Sequence, residues 1–128
     1  TLHSLNEQGR QFINTIVEEK EIVKDLRQTL TTKYQRTTIV DPNTQTRMTC
    51  DELLTCTDWE NNTISLPMII LETKSSQHPS PFDTWLWDHH CRPNRISKYC
   101  TALAVLHPEL PSNKWHQTIK NFFLSPVP

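Results

Sequence analysis

The side chains best suited to chemistry crowd into one stretch. Asp88, His89, His90 and Cys91 follow one another and bring a carboxylate, two imidazoles and a thiol into one short segment, the raw material of an activated nucleophile or a metal site. The element that carries them decides whether they act together. Phe82, Trp85, Leu86 and His89 recur at helical spacing, and on a helix successive residues fan out by about 100°. His89 therefore joins the apolar stripe while His90 and Cys91 point elsewhere. Just downstream, Arg92, Arg95 and Lys98 lie near Trp85, Trp87 and Tyr99 in the one basic and aromatic concentration that the sequence presents. An exposed tryptophan stacks on a base and cations follow a phosphate backbone, so Trp87, Arg92, Arg95 and Lys98 form a candidate site for RNA or single-stranded DNA.

Two families share these residue types. Asp88-His89-His90-Cys91 resembles, letter for letter, the signature of the protein S-acyltransferase family, over four residues. The resemblance implies a zinc-binding, cysteine-rich loop between membrane spans, with a histidine activating the cysteine as acyl acceptor. No run here approaches the length of a span, and the surrounding Cys and His ladder is missing. Asp88, His89, His90 and Asn94, with His107 downstream, are similar in type to the metal-dependent His-Asn-His nucleases. Those enzymes carry the set on a ββα hairpin, whereas this stretch reads as helix, proline, helix. Cys50 with Cys56 and Cys91 with Cys100 lack the two-to-four-residue gap of zinc pairs. We therefore expect free thiols, no metal and no cofactor.

Composition narrows the classes further. The chain of 128 residues has a single glycine, Gly9, so no Gly-rich phosphate loop, dinucleotide fingerprint or nucleophile elbow can be written on it. Thirteen Lys and Arg against fourteen Asp and Glu give no global reason to expect DNA or an anionic membrane. Reduced thiols favour an intracellular protein over a secreted one. The contrary features are an even count of cysteines and the sequon Asn61-Asn62-Thr63, which support a secreted, disulfide-bonded ligand or ectodomain as a further alternative.

The elements follow from periodicity. Leu5, Phe12, Ile16, Val23, Leu26 and Leu30 continue a stripe from Leu2 at alternating spacings of three and four, predicting one long amphipathic helix to about Lys33. Tyr34 to Asp41 and Thr44 to Thr49, joined by Asp41-Pro42-Asn43, predict a polar hairpin. Thr49-Cys50-Asp51-Glu52 has the spacing of a capping box and predicts a short helix to about Thr57. Ile64 to Leu71 reads as an edge strand because it holds Pro67. After a polar linker over 74–81, Ser80-Pro81-Phe82-Asp83 caps the first of three short helices separated by prolines.

The expected fold is thus mainly α with a small β hairpin: one domain over 1–128, in which a long N-terminal helix packs with an irregular bundle of short helices. Its sub-regions are 1–73, the linker 74–81 and the helices of 82–128. With no strained nucleophile turn or triad spacing, the expected function is a non-catalytic protein-protein interaction or assembly module. Its partner, another protein or a second copy, would dock on Leu5, Phe12, Ile16, Val23, Leu26 and Leu30. The alternative is a nucleic-acid-associated subunit using the basic and aromatic patch; no membrane contact is expected.

Overall fold

The computed structural model describes residues 5–18, 21–76 and 79–123. Its centre is an antiparallel sheet of four strands, β1 (Leu30–Asp41), β2 (Thr46–Asp58), β3 (Thr63–Leu66) and β4 (Ile70–Lys74). β1 pairs one edge of β2 along nearly its whole length, while β3 and β4 take successive stretches of the other edge. The helices are α1 (Glu7–Ile16), α2 (Ile22–Asp25), α3 (Pro81–Asp88), α4 (Lys98–Leu106) and α5 (His116–Phe122), the last entered through a 3-10 turn at Asn113–Trp115.

The fold is therefore mixed α and β, and the expected helical bundle is overturned. The long N-terminal helix is instead two short ones: at Val17 the backbone turns extended, and Arg10 clamps the pair by donating to the carbonyls of Leu5 at 3.1 Å and Val23 at 3.0 Å. Leu26 lies beyond α2, and Leu30 opens β1. The stripe spacing runs on past the helix through residues that serve other elements, and the β-branched Thr29, Thr31 and Thr32 favour a strand there. Leu2 lies outside the described residues. The expected helix from Thr49 is also corrected, since Thr49 to Thr57 form the middle of β2. Pairing with strands on both sides outweighs a local capping signal.

Other local signals hold. The hairpin at Asp41-Pro42-Asn43 is present, with arms far longer than expected. The single edge strand expected over 64–71 is corrected to two, β3 and β4, with Pro67 in the break between them because it has no N–H to give to a ladder. Ser80 caps α3 in a full capping box: Ser80 Oγ accepts from the Asp83 amide at 3.1 Å, and Asp83 accepts from the Ser80 amide at 2.8 Å.

All three strand lines are interrupted at one level. β1 shifts register between Lys33 and Gln35, Leu53 of β2 takes a left-handed φ of 54°, and the third line breaks at Pro67. This bulge keeps Asp51 and Leu54, three residues apart, on the same face: α4 reaches Asp51 through Lys98 and packs Ala102 against Leu54. The core lies on one side of the break, where Leu54, Cys56, Leu66 and Ala102 cluster with Leu30, Ile64, Ile70, Phe122 and Phe123 around them. His107 fixes the far end of α4. Its Nε2 lies 3.0 Å from Asp58 Oδ2 and its ring stacks on Trp59 at 4.3 Å. Burial raises the Asp58 pKa, but hydrogen bonds from Asn62, the Glu60 amide and His107 outweigh it and hold the carboxyl below its ordinary range.

Candidate functional site

Beyond the break, the face that holds the core continues as a polar, cationic surface. Side chains alternate across a strand, so Tyr34, Arg36, Thr38 and Val40 of β1 share this face with Arg47, Thr49 and Asp51 of β2 and Glu72 and Lys74 of β4. The ladder sets Val40, Arg47 and Lys74 in one row, Thr38, Thr49 and Glu72 in the next, and Arg36 opposite Asp51 in a third. Lys98 arrives from the first turn of α4, whose start is fixed by the Ser97 hydroxyl accepting from the Cys100 amide at 3.2 Å.

Asp51 organises two of the cations. Its side chain is only 1% exposed, and a bare carboxylate would be costly there. Arg36 donates to both oxygens, from Nε at 2.6 Å and Nη2 at 2.7 Å, and Lys98 Nζ lies 2.8 Å from Oδ2. The Arg36 guanidinium foremost, aided by Lys98 and opposed by burial, pulls the carboxyl down to about 2. The Tyr34 ring adds a second support, 5.0 Å from the Arg36 guanidinium carbon and 5.5 Å from Lys98 Nζ. Guanidinium has five N–H donors and ammonium three, so both cations keep donors in hand after satisfying Asp51.

At the other end of the face the cations are more open. Arg47 has no ion pair among the described residues, and Lys74 lies 3.1 Å from Glu72, two residues away on the same strand. Together with Val40, Gln45, Ser75 and Ser76 they line a hollow of about 600 Å³. Between the two ends lies Thr49, whose buried Oγ1 has no hydrogen-bond partner, an unmet polar group of the kind that water or a ligand satisfies. The face thus offers four cations beside two paired carboxylates, a complement for phosphate oxygens. Among the described residues no group of three His, Cys, Asp or Glu could hold a metal ion. Glu72 could supply one oxygen to a cation that a phosphate also ligates.

The residues expected from sequence do not gather. Lys98 belongs to the cationic face. Trp87 and Arg92 line a separate cleft, with the Arg92 guanidinium 5.8 Å from the Trp87 ring centroid. Arg95 is exposed, and its carbonyl accepts from Thr118 at 2.6 Å. The Asp88-His89-His90-Cys91 run does not converge either. His89, expected on the apolar stripe, is exposed and stacks on Trp85 at 4.0 Å, while the Cys91 thiol lies 3.6 Å from the His89 carbonyl. All four cysteines are free. Of the expected partner stripe, Val23 is buried, Leu30 packs on the core, Leu5 and Leu26 are half-buried, and Phe12 and Ile16 are each 66% exposed. No helix among the described residues is long and apolar enough to cross a membrane.

Sequence reasoning missed Arg36, Arg47, Thr49, Asp51, Glu72 and Lys74. Their signal is a period of two: Tyr34, Arg36 and Thr38, then Arg47, Thr49 and Asp51, then Glu72 and Lys74 each alternate polar groups onto one side. It emerges only once these segments are read as strands. The comparisons bear on the same region. A family model described as VTC domain matches residues 1–107, from α1 through the His107 cap of α4. That span contains the whole cationic face. No curated protein and no solved structure matches the chain.

Proposed function

The chain belongs to the VTC domain family, and we propose that its cationic sheet face binds a ligand carrying several phosphates. One observation carries this reading: Arg36, Arg47, Lys74 and Lys98 lie on a single face, two of them held in place by a buried carboxylate. Cations fixed before binding lose less freedom when an anion arrives. Extent selects among anions. Asp51 and Arg47 are four residues apart on β2, about 13 Å of strand, so one phosphate does not reach both ends of the row. A chain of phosphates does.

Titration calorimetry at low salt tests it with inorganic phosphate, tripolyphosphate and a single-stranded oligonucleotide. Tripolyphosphate is expected to bind at least tenfold more tightly than phosphate and to weaken steeply with salt, as displacement of several ions requires. Equal weak binding of both would sink the reading. Oligonucleotide binding that depends on Arg92 and Arg95 but not on Arg47 would move the function to the nucleic-acid alternative. A second reading, a protein-protein contact through α1, is favoured by the exposure of Phe12 and Ile16 one turn apart. There, Phe12→Asp is expected to abolish self-association or partner capture without lowering stability; a wild-type chain that is monomeric and captures nothing would remove it.

A further inference from the structure

A second concavity, of about 530 Å³, opens between the β3–β4 connection and α3 and shares no residue with the cationic face. Its walls are Leu66, Met68, Leu86, Trp87, Ile96 and Phe122, with Arg92 and Cys91 among the exposed residues that line it. The volume lies in the range that holds a small ligand.

What distinguishes this cleft is how its polar groups are used. Thr73 donates to Asp83 at 2.5 Å, and Asp83 also accepts from the Ser80 amide. Thr118 donates to the Arg95 carbonyl at 2.6 Å, and the Asn94 amide donates to the Arg92 carbonyl at 3.3 Å. Each of these lining groups is engaged within the protein. The Arg92 guanidinium has no ion pair among the described residues and rests only near the Trp87 ring. The cleft therefore presents an apolar wall and one uncommitted cation. An alkyl chain asks for no hydrogen-bond partner and suits a wall whose polar side chains are engaged, and a carboxylate suits the single cation.

We propose that this cleft binds a single-chain alkyl carboxylate, its hydrocarbon against Leu66, Leu86, Trp87 and Phe122 and its carboxylate on Arg92. Cys91 provides the local reporter, because it lines the cleft and is exposed while Cys56 is buried.

The test titrates the full chain with octanoate, decanoate and dodecanoate below their micelle concentrations, alongside the alcohols of the same length. Iodoacetamide labelling of each cysteine is followed by peptide mass spectrometry. Saturable binding is expected, tightening about fourfold per added methylene, with Cys91 labelling slowed severalfold and labelling of Cys50 and Cys100 unchanged. Arg92→Gln, at an exposed position, is expected to weaken the carboxylates about tenfold, the size of one charge-assisted pair, and to leave the alcohols as they were. Binding that is not saturable, fails to protect Cys91, or is weakened equally for acid and alcohol by Arg92→Gln overturns the proposal.

Discussion

The two halves of one sheet face have opposite designs. On one side of the break, Leu54, Cys56 and Leu66 meet Ala102 of α4 and exclude water so thoroughly that burial raises the Cys56 thiol pKa. On the other side, the same strands carry Arg36, Arg47 and Lys74, and Lys98 reaches over them from α4 to Asp51. α4 belongs to both halves: Ala102 packs one, and Lys98, one turn earlier, charges the other. The apolar half anchors the helix, and the anchored helix presents a cation that would otherwise swing freely. Stability and binding should then separate along the strands.

The packed half should hold the larger energies. Leu54→Ala removes the largest fully buried apolar side chain, and about 2–5 kcal/mol is expected from lost transfer and cavity terms; urea unfolding measures it. If Leu54→Ala instead cost under about 1 kcal/mol, the packed half would not be the anchor.

Asp51 stands at the border and should affect both properties. Asp51→Asn leaves Arg36 and Lys98, 40% and 20% exposed, without their shared carboxylate, and a loss of about 2 kcal/mol at neutral pH is expected. The sign against pH follows from the depressed value. The native carboxyl titrates at about 2 and the unfolded one at 3.8, so its contribution is complete above about pH 4 and disappears as pH falls through the native pKa. Asp41 and Asp58 are also lowered, so the useful quantity is wild type minus variant. That difference should shrink between about pH 4 and pH 2; a difference flat across this window would show that Asp51 is not held by the pair.

In the open half the expectation inverts. Arg47→Gln with Lys74→Gln removes exposed charges at the hollow, and stability should stay within about 0.5 kcal/mol of wild type. Tripolyphosphate affinity should fall by about ten- to a hundredfold, one charge-assisted contact or two, with a shallower salt dependence. If the double variant bound normally but unfolded easily, the division between the halves would be wrong.

How much of this could be read in advance depends on which interactions are local. The Ser80-Asp83 capping box and the turn at Asp41-Pro42-Asn43 are settled by a few neighbouring residues, and each is legible in the sequence; Pro67 marks an edge line there, but that it divides the strand in two is not legible. Nor is the role of Asp51. At Thr49-Cys50-Asp51-Glu52 local chemistry points to a helix, while the partners that decide the matter are Arg36, fifteen residues away along the chain, and Lys98, farther still. Lys98 is legible as a cation, but sequence proximity groups it with Arg92 and Arg95, whereas its companions lie across strands at Arg36, Arg47 and Lys74. The helical stripe failed for a related reason: Leu30 keeps the spacing of a helix and contributes to the core from a strand.

The smallest effect should come from the break itself. Leu53 holds φ at 54° and exposes 67% of its surface, an arrangement that costs an L-residue about 1–2 kcal/mol and that its side chain does not recover by burial. Glycine tolerates this conformation but loses more freedom on folding. The balance predicts that Leu53→Gly stabilises the protein by about 0.5–1 kcal/mol, with tripolyphosphate affinity unchanged. Leu53→Val should destabilise it, because branching at Cβ disfavours the left-handed region further. The two substitutions have opposite signs only if the bulge persists in solution. Should both destabilise alike, the strands would be running through without a break, and Asp51 would share its face with Leu53 in place of Leu54.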